Sequence, residues 1–332
     1  MWRIIGEFLL YYLPKTSRLL PNLINRVIEM NNDKLRQLAE LIEDLTRKEG
    51  CFLTTDIPTL SLCRRNHTTQ PMPCIYPLSL FLVVQGSQHL NFGDSVLQIE
   101  QGQTALTTMD LPVVSNVLNA SQHTPYLSLR IELDAMMLRE LDEQIAWQPK
   151  MSSLSDTLSV FPADEELLDA LIRLVKLLKT PNLQPHLLPL IEREIAVRLL
   201  SSDHHAMLKR VLTQGTIEQK VAKVIAYFNE HYTEKIEMDK LAEMVFISPS
   251  SLRQHFRKIT GTSPLQYQKQ LRLQNARRLM FKENKDATTA SLAVGYESPN
   301  QFNREYARFF GEPPHRDIQR LRNNEMQFGR IV

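Results

Sequence analysis

In the C-terminal third of the chain, apolar residues recur at steps of three and four: Leu241, Ala242, Val245, Leu252, Phe256 and Ile259. That spacing marks one face of a helix, and its interruption at Ser248-Pro249 predicts two short helices joined by a tight turn. Ser248 can accept a hydrogen bond from a free N–H in the second helix's opening turn. Pro249 suits the first helical position because no donor is lost there. The pattern returns between Ala287 and Gly311. Here Leu292, Ala293 and Val294 occupy the first helix, Gly295 permits a left-handed turn, and Ser298-Pro299 opens a second helix whose Phe302, Tyr306 and Phe309 form the buried stripe. Each second helix ends at a glycine. Between the copies, Pro264 starts LQYQKQLRLQNARRLMF, in which Tyr267, Leu271, Ala276 and Leu279 can pack while Arg272, Arg277 and Arg278 stay near solvent. Two helix-turn-helix units spaced by one stiff helix are predicted.

Upstream the period changes. From Asp33 to Lys48, Leu35, Leu38, Leu41, Ile42 and Leu45 make one helical face closed by Gly50. Residues 51–133 carry short apolar runs, LSLFLVVQG, HLNFG, SVLQIEQGQTALTT, LPVVSNVL and YLSLRIEL, punctuated by Gly86, Gly93-Asp94, Gly102 and Pro112. Strands so closely spaced predict a cupin-like β-barrel around a central pocket, a common place for a small organic ligand. Residues 134–215 read as helical again. Leu167, Leu168, Leu171, Leu174, Val175 and Leu178 form one stripe, and Leu187, Leu188, Ile191, Ile195 and Leu199 form another. These stripes pack within the subunit or pair two copies of the chain. SSDHH at 201–205 and TQGT at 213–216 read as breaks.

The first 29 residues form an N-terminal extension. Their apolar run from Ile4 to Leu13 holds Glu7, stops at Pro14 and falls short of the roughly 20 residues of a membrane span. A soluble amphipathic helix opens near Met30, so the extension is expected to be an upstream-start artefact, with an interfacial helix as the rival.

The chain has 332 residues, 43% of them hydrophobic, enough for two domains with real cores. Its net charge of +2 conceals a division: residues 216–332 hold 19 basic and 13 acidic side chains, residues 1–215 hold 20 and 24. Ser248 to Lys282 has eight Lys or Arg and no acid, as an anionic partner such as DNA requires. Cys51, Cys63 and Cys74 lack CxxC spacing and are too few for a disulfide scaffold, which fits a reducing cytoplasm. They read as free thiols, with a redox or electrophile sensor as the alternative. His67, His89 and His123 are too scattered for a metal-binding cupin, which would offer HxH followed by a carboxylate, so no metal or other cofactor is expected. No GxSxG, HExxH, phosphate-binding loop or dinucleotide fingerprint is present.

The runs KLAE...ISPSSLRQHFRKITGTSPLQYQKQLRLQNARRLM and LAVGYESPNQFNREYARFFGEPP resemble the C-terminal DNA-binding domain of the AraC/XylS family of bacterial transcription regulators. The resemblance spans about a hundred residues and departs only in SerLeuAla at 291–293, where Ile-Ala is usual. It implies an α+β chain: residues 1–29 as extension, 30–147 as a cupin-like effector-binding sensor, 148–215 as a helical connector that can dimerise, and 216–332 as an all-α domain with two helix-turn-helix motifs. The buried stripes leave Ser250, Ser251, Arg253, Gln254 and Arg257 available to DNA in the first recognition helix, and Asn300, Gln301, Asn303, Arg304 and Arg308 in the second. Arginine matches the O6/N7 edge of guanine and Asn or Gln the N6/N7 edge of adenine. The reading is a ligand-responsive regulator, not an enzyme, with double-stranded DNA as partner and a second copy of the chain or RNA polymerase as further candidates. The alternatives are a cupin-type enzyme fused to a DNA-binding module and an effector-independent DNA binder.

Overall fold

The computed structural model describes residues 19–46, 50–93, 95–144 and 158–328. Helix α1 (Leu19–Leu45) runs through Met30 without a break. Ten strands follow: β1 (Gly50–Thr54), β2 (Leu60–Arg65), β3 (Met72–Tyr76), β4 (Ser79–Gln85), β5 (Ser87–Phe92), β6 (Ser95–Glu100), β7 (Gln103–Thr107), β8 (Leu111–Asn119), β9 (Tyr126–Glu132) and, after helix α2 (Ala135–Gln144), β10 (Leu158–Pro162). They form two antiparallel sheets, β1-β2-β9-β4-β7-β10 and β3-β8-β5-β6.

Strands β4 to β9 coincide with the apolar runs of the sequence, whereas β1, β2, β3 and β10 lie outside them. The helical expectation for 134–215 is corrected at β10, which pairs along its whole length with β7 from Leu158↔Thr107 to Pro162↔Gln103. The boundary expected between 147 and 148 lies outside the described residues.

Alternation decides which face of the six-stranded sheet meets what, because successive strand residues point to opposite sides. Leu60, Leu62, Leu80, Leu82, Leu127, Leu129 and Ile131 face outward and are covered by α1, α3 (Glu165–Leu177) and α4 (Gln184–Leu200) in one core. The two predicted stripes on α3 and α4 therefore pack largely within the chain. Leu187, placed in the second stripe, is a correction: with Leu183 and Leu190 it lies on the exposed side of the α4 region, while Ile191, Ile195 and Leu199 face the core. SSDHH is not simply a polar break either, for His204 and His205 are both buried. The inner faces of the sheets meet in a second core containing Phe81, Val83, Leu90, Ile99, Val113 and Val117.

Helices α5 (His205–Leu212) and α6 (Ile217–His231) lead into the C-terminal region. The first motif is α7 (Met238–Met244) and α8 (Pro249–Thr260), the spacer is α9 (Pro264–Lys282), the second motif is α10 (Ala287–Ala293) and α11 (Pro299–Phe310), and α12 (Pro314–Phe328) closes the chain. Helix α9 serves both motifs. Its Tyr267 and Leu271 join Phe228, Leu252 and Phe256, whereas Leu273, Ala276, Leu279 and Met280 join Val294, Phe302 and Tyr306.

The N-terminal sheets and the first motif share a core, since the cluster between the sheets continues into Val221, Val224, Phe228 and Leu241. Polar contacts reinforce the junction. Asn229 Nδ2 donates to Asp110 Oδ2 at 2.7 Å, Tyr267 Oη donates to the Asp110 carbonyl at 3.0 Å, and Gln274 Nε2 donates to the Pro73 carbonyl at 2.8 Å. The β5–β6 turn also meets the end of α8: a Cβ on Gly261 would stand 2.7 Å from the Gly93 Cα, so glycine is needed there for space as well as for its φ of +72°.

Candidate DNA-binding surface

Both recognition helices are built alike. Ser248 is the N-cap of α8 and accepts from the Ser251 N–H, and Ser298 caps α11 by accepting from the Gln301 N–H. Proline follows each cap, and left-handed glycines, Gly261 and Gly311, terminate the helices. The turns before them differ. Gly295 sits at φ +85° and a Cβ there would collide with the Thr233 carbonyl at 2.3 Å, so no other residue fits. At the equivalent turn position of the first motif stands Phe246, also left-handed at φ +54° and 88% exposed.

On α8, Leu252, Phe256 and Ile259 are buried, while Ser250, Arg253, Gln254 and Arg257 are exposed. Ser251 is half-buried, and its hydroxyl, like that of Ser250, turns back toward Ser248 Oγ, at 2.8 and 3.0 Å. On α11, Phe302 and Tyr306 are buried and Asn300, Gln301, Asn303, Arg304 and Arg308 are exposed. Phe309, expected in the buried stripe, is only half-buried and packs edge-on against Phe310. In α10 the apolar role shifts by one residue: Ser291 is buried and donates to the Thr288 carbonyl, while Leu292 is 56% exposed.

The basic run divides into two kinds of residue. Arg272 and Arg277, expected near solvent, are fastened inside the domain. Arg272 donates from Nε to the Tyr232 carbonyl at 2.7 Å, from Nη1 to Gly295 at 2.9 Å, and from Nη2 to Thr233 at 3.0 Å and Glu234 at 2.9 Å. One guanidinium thereby ties the loop after α6 to the turn of the second motif, close to the Gly295–Thr233 contact. Arg277 grips buried Asp317 with two bonds of 2.7 Å and lies over the Phe310 ring at 4.4 Å. Tyr306 Oη and Arg320 Nη2 donate to the same carboxylate at 2.6 Å each. Burial, and then the bond to Asp317, push the Tyr306 phenol well above its usual range, so it stays a donor.

Lys269 is paired with Glu305 at 2.9 Å and Arg278 with Glu283 at 3.2 Å. Burial opposes ionisation of Glu305, yet bonds from Lys269, Gln301 and Tyr296 hold it below the ordinary carboxylate range. Gln301 is thus partly engaged by its neighbour. Arg253, Arg257, Lys258 and Lys282 from the basic run, and Arg304 and Arg308 from α11, have no side-chain partner among the described residues. They leave a positive, donor-rich surface around the two helices. Among the described residues no three His, Cys, Asp or Glu side chains converge as a metal site would require, and no helix is long and apolar enough to cross a membrane.

Two stretches of the chain match known protein families. Residues 56–207 match the profile of the AraC-type transcriptional regulator N-terminus, and residues 241–320 match that of a helix-turn-helix domain. An uncharacterised helix-turn-helix transcriptional regulator of Bacillus subtilis, YobQ, is 36% identical over 90 residues, 27% of this chain and 37% of that protein. GbdR of Pseudomonas aeruginosa is 31% identical over 118 residues, 35% of this chain and 32% of the relative. The transcriptional activator RhaS of Escherichia coli is 26% identical over 124 residues, 36% and 44% of the two chains. The match therefore spans well under half of each relative's own length. Among solved structures, ToxT from Vibrio cholerae bound to an unsaturated fatty acid covers 82% of this chain and 96% of its own at a TM-score of 0.56 and 10% identity, a likeness of fold.

Proposed function

The chain belongs to the AraC family of transcriptional regulators, and from that premise we propose that it binds specific double-stranded DNA with both recognition helices and answers to a small organic effector held in its N-terminal β-sandwich. The observation that carries the reading is the repeated build of α8 and α11: each is capped by serine and glycine, presents Arg with Asn or Gln outward, and is held to its twin through α9 and Arg272. Arg253, Gln254, Asn300, Asn303 and Arg304 are assigned to base edges. Arg257, Arg308, Lys258 and Lys282 are assigned to phosphates, with Ser250, Ser251 and Gln301 lining the approach. The fatty acid in ToxT supports a small-molecule role for the sensor. No catalytic step is assigned to the chain. A second copy, meeting the exposed Leu183, Leu187 and Leu190, and RNA polymerase are proposed partners, and the bacterial cytoplasm is the proposed setting.

Footprinting and quantitative binding on a selected site test the proposal. Arg253→Ala and Arg304→Ala should each cost about 1–3 kcal/mol on the specific site and relax choice at one base position. Equal losses on specific and random DNA would reject base reading.

A further inference from the structure

The two motifs differ most at the turn. Phe246 stands where the second motif has Gly295, yet its φ of +54° lies in the left-handed region that strains any residue with a Cβ. Among the described residues one other non-glycine shares that conformation, Asn284 at +56°, and asparagine tolerates it through its short polar side chain. The Phe246 ring is not buried in return: at 88% it is the most exposed large hydrophobic side chain among the described residues. The turn that carries it is held from three sides. Its N–H donates to the Glu243 carbonyl at 3.1 Å, the Ile247 N–H donates to the Ala242 carbonyl at 3.1 Å, and Lys220 Nζ of α6 donates to the Phe246 carbonyl at 3.4 Å. A strained residue, fixed in place and exposed, points to a role outside the subunit.

We propose that Phe246 and Lys220 form a clamp on the sugar-phosphate backbone of DNA at the edge of the groove that α8 enters, the ring lying on a deoxyribose and the ammonium meeting the adjoining phosphate. The inference deepens the DNA-binding reading and rests on it. Place on the chain supports it. Phe246 stands two residues before Ser248, the cap of α8, and outside the helix, so it flanks the end that carries the exposed Ser250 and Arg253. Chemistry selects the occupant. A protein partner of ordinary size covers about 800 Å² per side around an apolar centre. Here Glu243, Ser248 and Ser250 are exposed polar neighbours along the chain, and Met244, 39% exposed, is the one exposed apolar side chain beside the ring in sequence. Glu243 is also the only acid between Lys240 and Lys282. A duplex backbone alternates apolar sugar faces with anionic phosphates, which matches one ring with an ammonium at its root.

The test measures the affinity of the full chain for two duplexes across a range of salt, one selected by the wild type from a random library and one of scrambled sequence. Phe246→Gly and Phe246→Asn both suit a left-handed turn, so each should unfold at the same urea concentration as wild type or a higher one. Each should nevertheless weaken both duplexes about fivefold or more, the worth of covering one ring face, while Phe246→Tyr binds like wild type. A ring releases no counterions, so the slope of log affinity against log salt should be unchanged in Phe246→Gly and shallower by about one in Lys220→Met. Unchanged affinity in Phe246→Gly and Phe246→Asn, with wild type still preferring its selected duplex, would overturn the clamp and leave the DNA-binding reading standing. Failure of the wild type to bind any duplex would overturn both. Lost stability in both variants would make the ring structural, and an unaltered salt slope in Lys220→Met would take the ammonium off the backbone; either result overturns the clamp. So does a loss confined to the selected duplex and reproduced in wild type by replacing thymine with uracil, which would move the ring to a base methyl group. Unchanged DNA affinity with lost activation of purified RNA polymerase would overturn it in favour of a polymerase contact.

Discussion

His204 gives the sharpest quantitative handle on the sensor's folding. The loop before α5 places its ring between strands β7 and β10, with Nε2 3.0 Å from Thr104 Oγ1 and Nδ1 2.8 Å from Ser159 Oγ. Thr104 already donates its hydroxyl hydrogen to the Phe161 carbonyl at 2.9 Å. Nε2 must therefore carry the proton, and Nδ1 accepts from Ser159. This neutral tautomer satisfies every group, and the ring sits edge-on to Phe161 with centroids 4.9 Å apart. Burial pushes the imidazole down to about 4, against a weaker upward pull from Asp203. A base with a lowered folded pKa binds fewer protons folded than unfolded between about 4 and its ordinary 6.5. Its contribution is fully present above that window and is lost as pH falls through it. The shift is equivalent to about 3 kcal/mol in all, of which about 2 kcal/mol should go between pH 7 and pH 5. His204→Gln keeps one donor and one acceptor but cannot titrate. Urea unfolding of both proteins at pH 7 and pH 5 isolates the effect, because other groups cancel in the double difference. Parallel pH dependence of wild type and variant would refute the buried neutral ring.

Three further outcomes follow from the DNA-binding domain. Arg272→Ala removes the four carbonyl contacts that join the two motifs; it should weaken binding to a two-element site about tenfold or more and soften the penalty of a half-turn insertion between the elements, whereas an unchanged insertion penalty would show that α9 alone sets the spacing. Arg277→Met strands the buried Asp317 carboxylate with fewer donors, and urea unfolding should record a loss of about 3–5 kcal/mol; a loss below about 1 kcal/mol would mean that Tyr306 and Arg320 suffice. Phe246→Gly should stabilise the fold by about 1 kcal/mol, because an exposed left-handed side chain is strained and buries nothing, and a destabilised variant would show that the Phe ring holds the turn.

Local signals were legible where they repeat. Serine-proline caps, terminal glycines and the stripes Leu252-Phe256-Ile259 and Phe302-Tyr306 stand in the sequence because each acts within a few residues of itself. Arg272 and Arg277 were misplaced for the opposite reason. Their acceptors, Tyr232, Thr233, Glu234, Gly295 and Asp317, lie 23 to 40 positions away along the numbering, and a carbonyl carries no mark in sequence. Strand β10 is five residues long and separated from its partner β7 by strands β8 and β9 and helix α2, so only pairing reveals it. Alternation was hard to see in β2 as well, since LSLCRR is buried on both faces along most of its length. His204 looked like part of a polar break, and what makes it a core residue is the pair of hydroxyls on two distant strands.

The two recognition helices are attached to the sensor in unlike ways. Helix α8 shares its core with the space between the sheets, and its C-terminal Gly261 lies against the β5–β6 turn. Asp110, whose carboxyl burial pushes upward while Asn229, the Leu78 backbone and Arg130 pull the other way, stands at that junction. Arg130 also stands at an inward position of β9, opposite Ser61 of β2. The second motif has a core of its own, and its ties to the sensor run through α9, by Gln274 to Pro73 and Arg277 to Met72, and through the packing of α11 near β3. A shift between the sheets would therefore reach α8 through shared packing and reach α11 chiefly through the α9 spacer and the Arg272 clamp. Coupling of this kind needs contiguous packed groups with more than one arrangement. Asp110, Asn229 and Tyr267, which tie α6 and α9 to the sandwich beside α8, meet the first requirement.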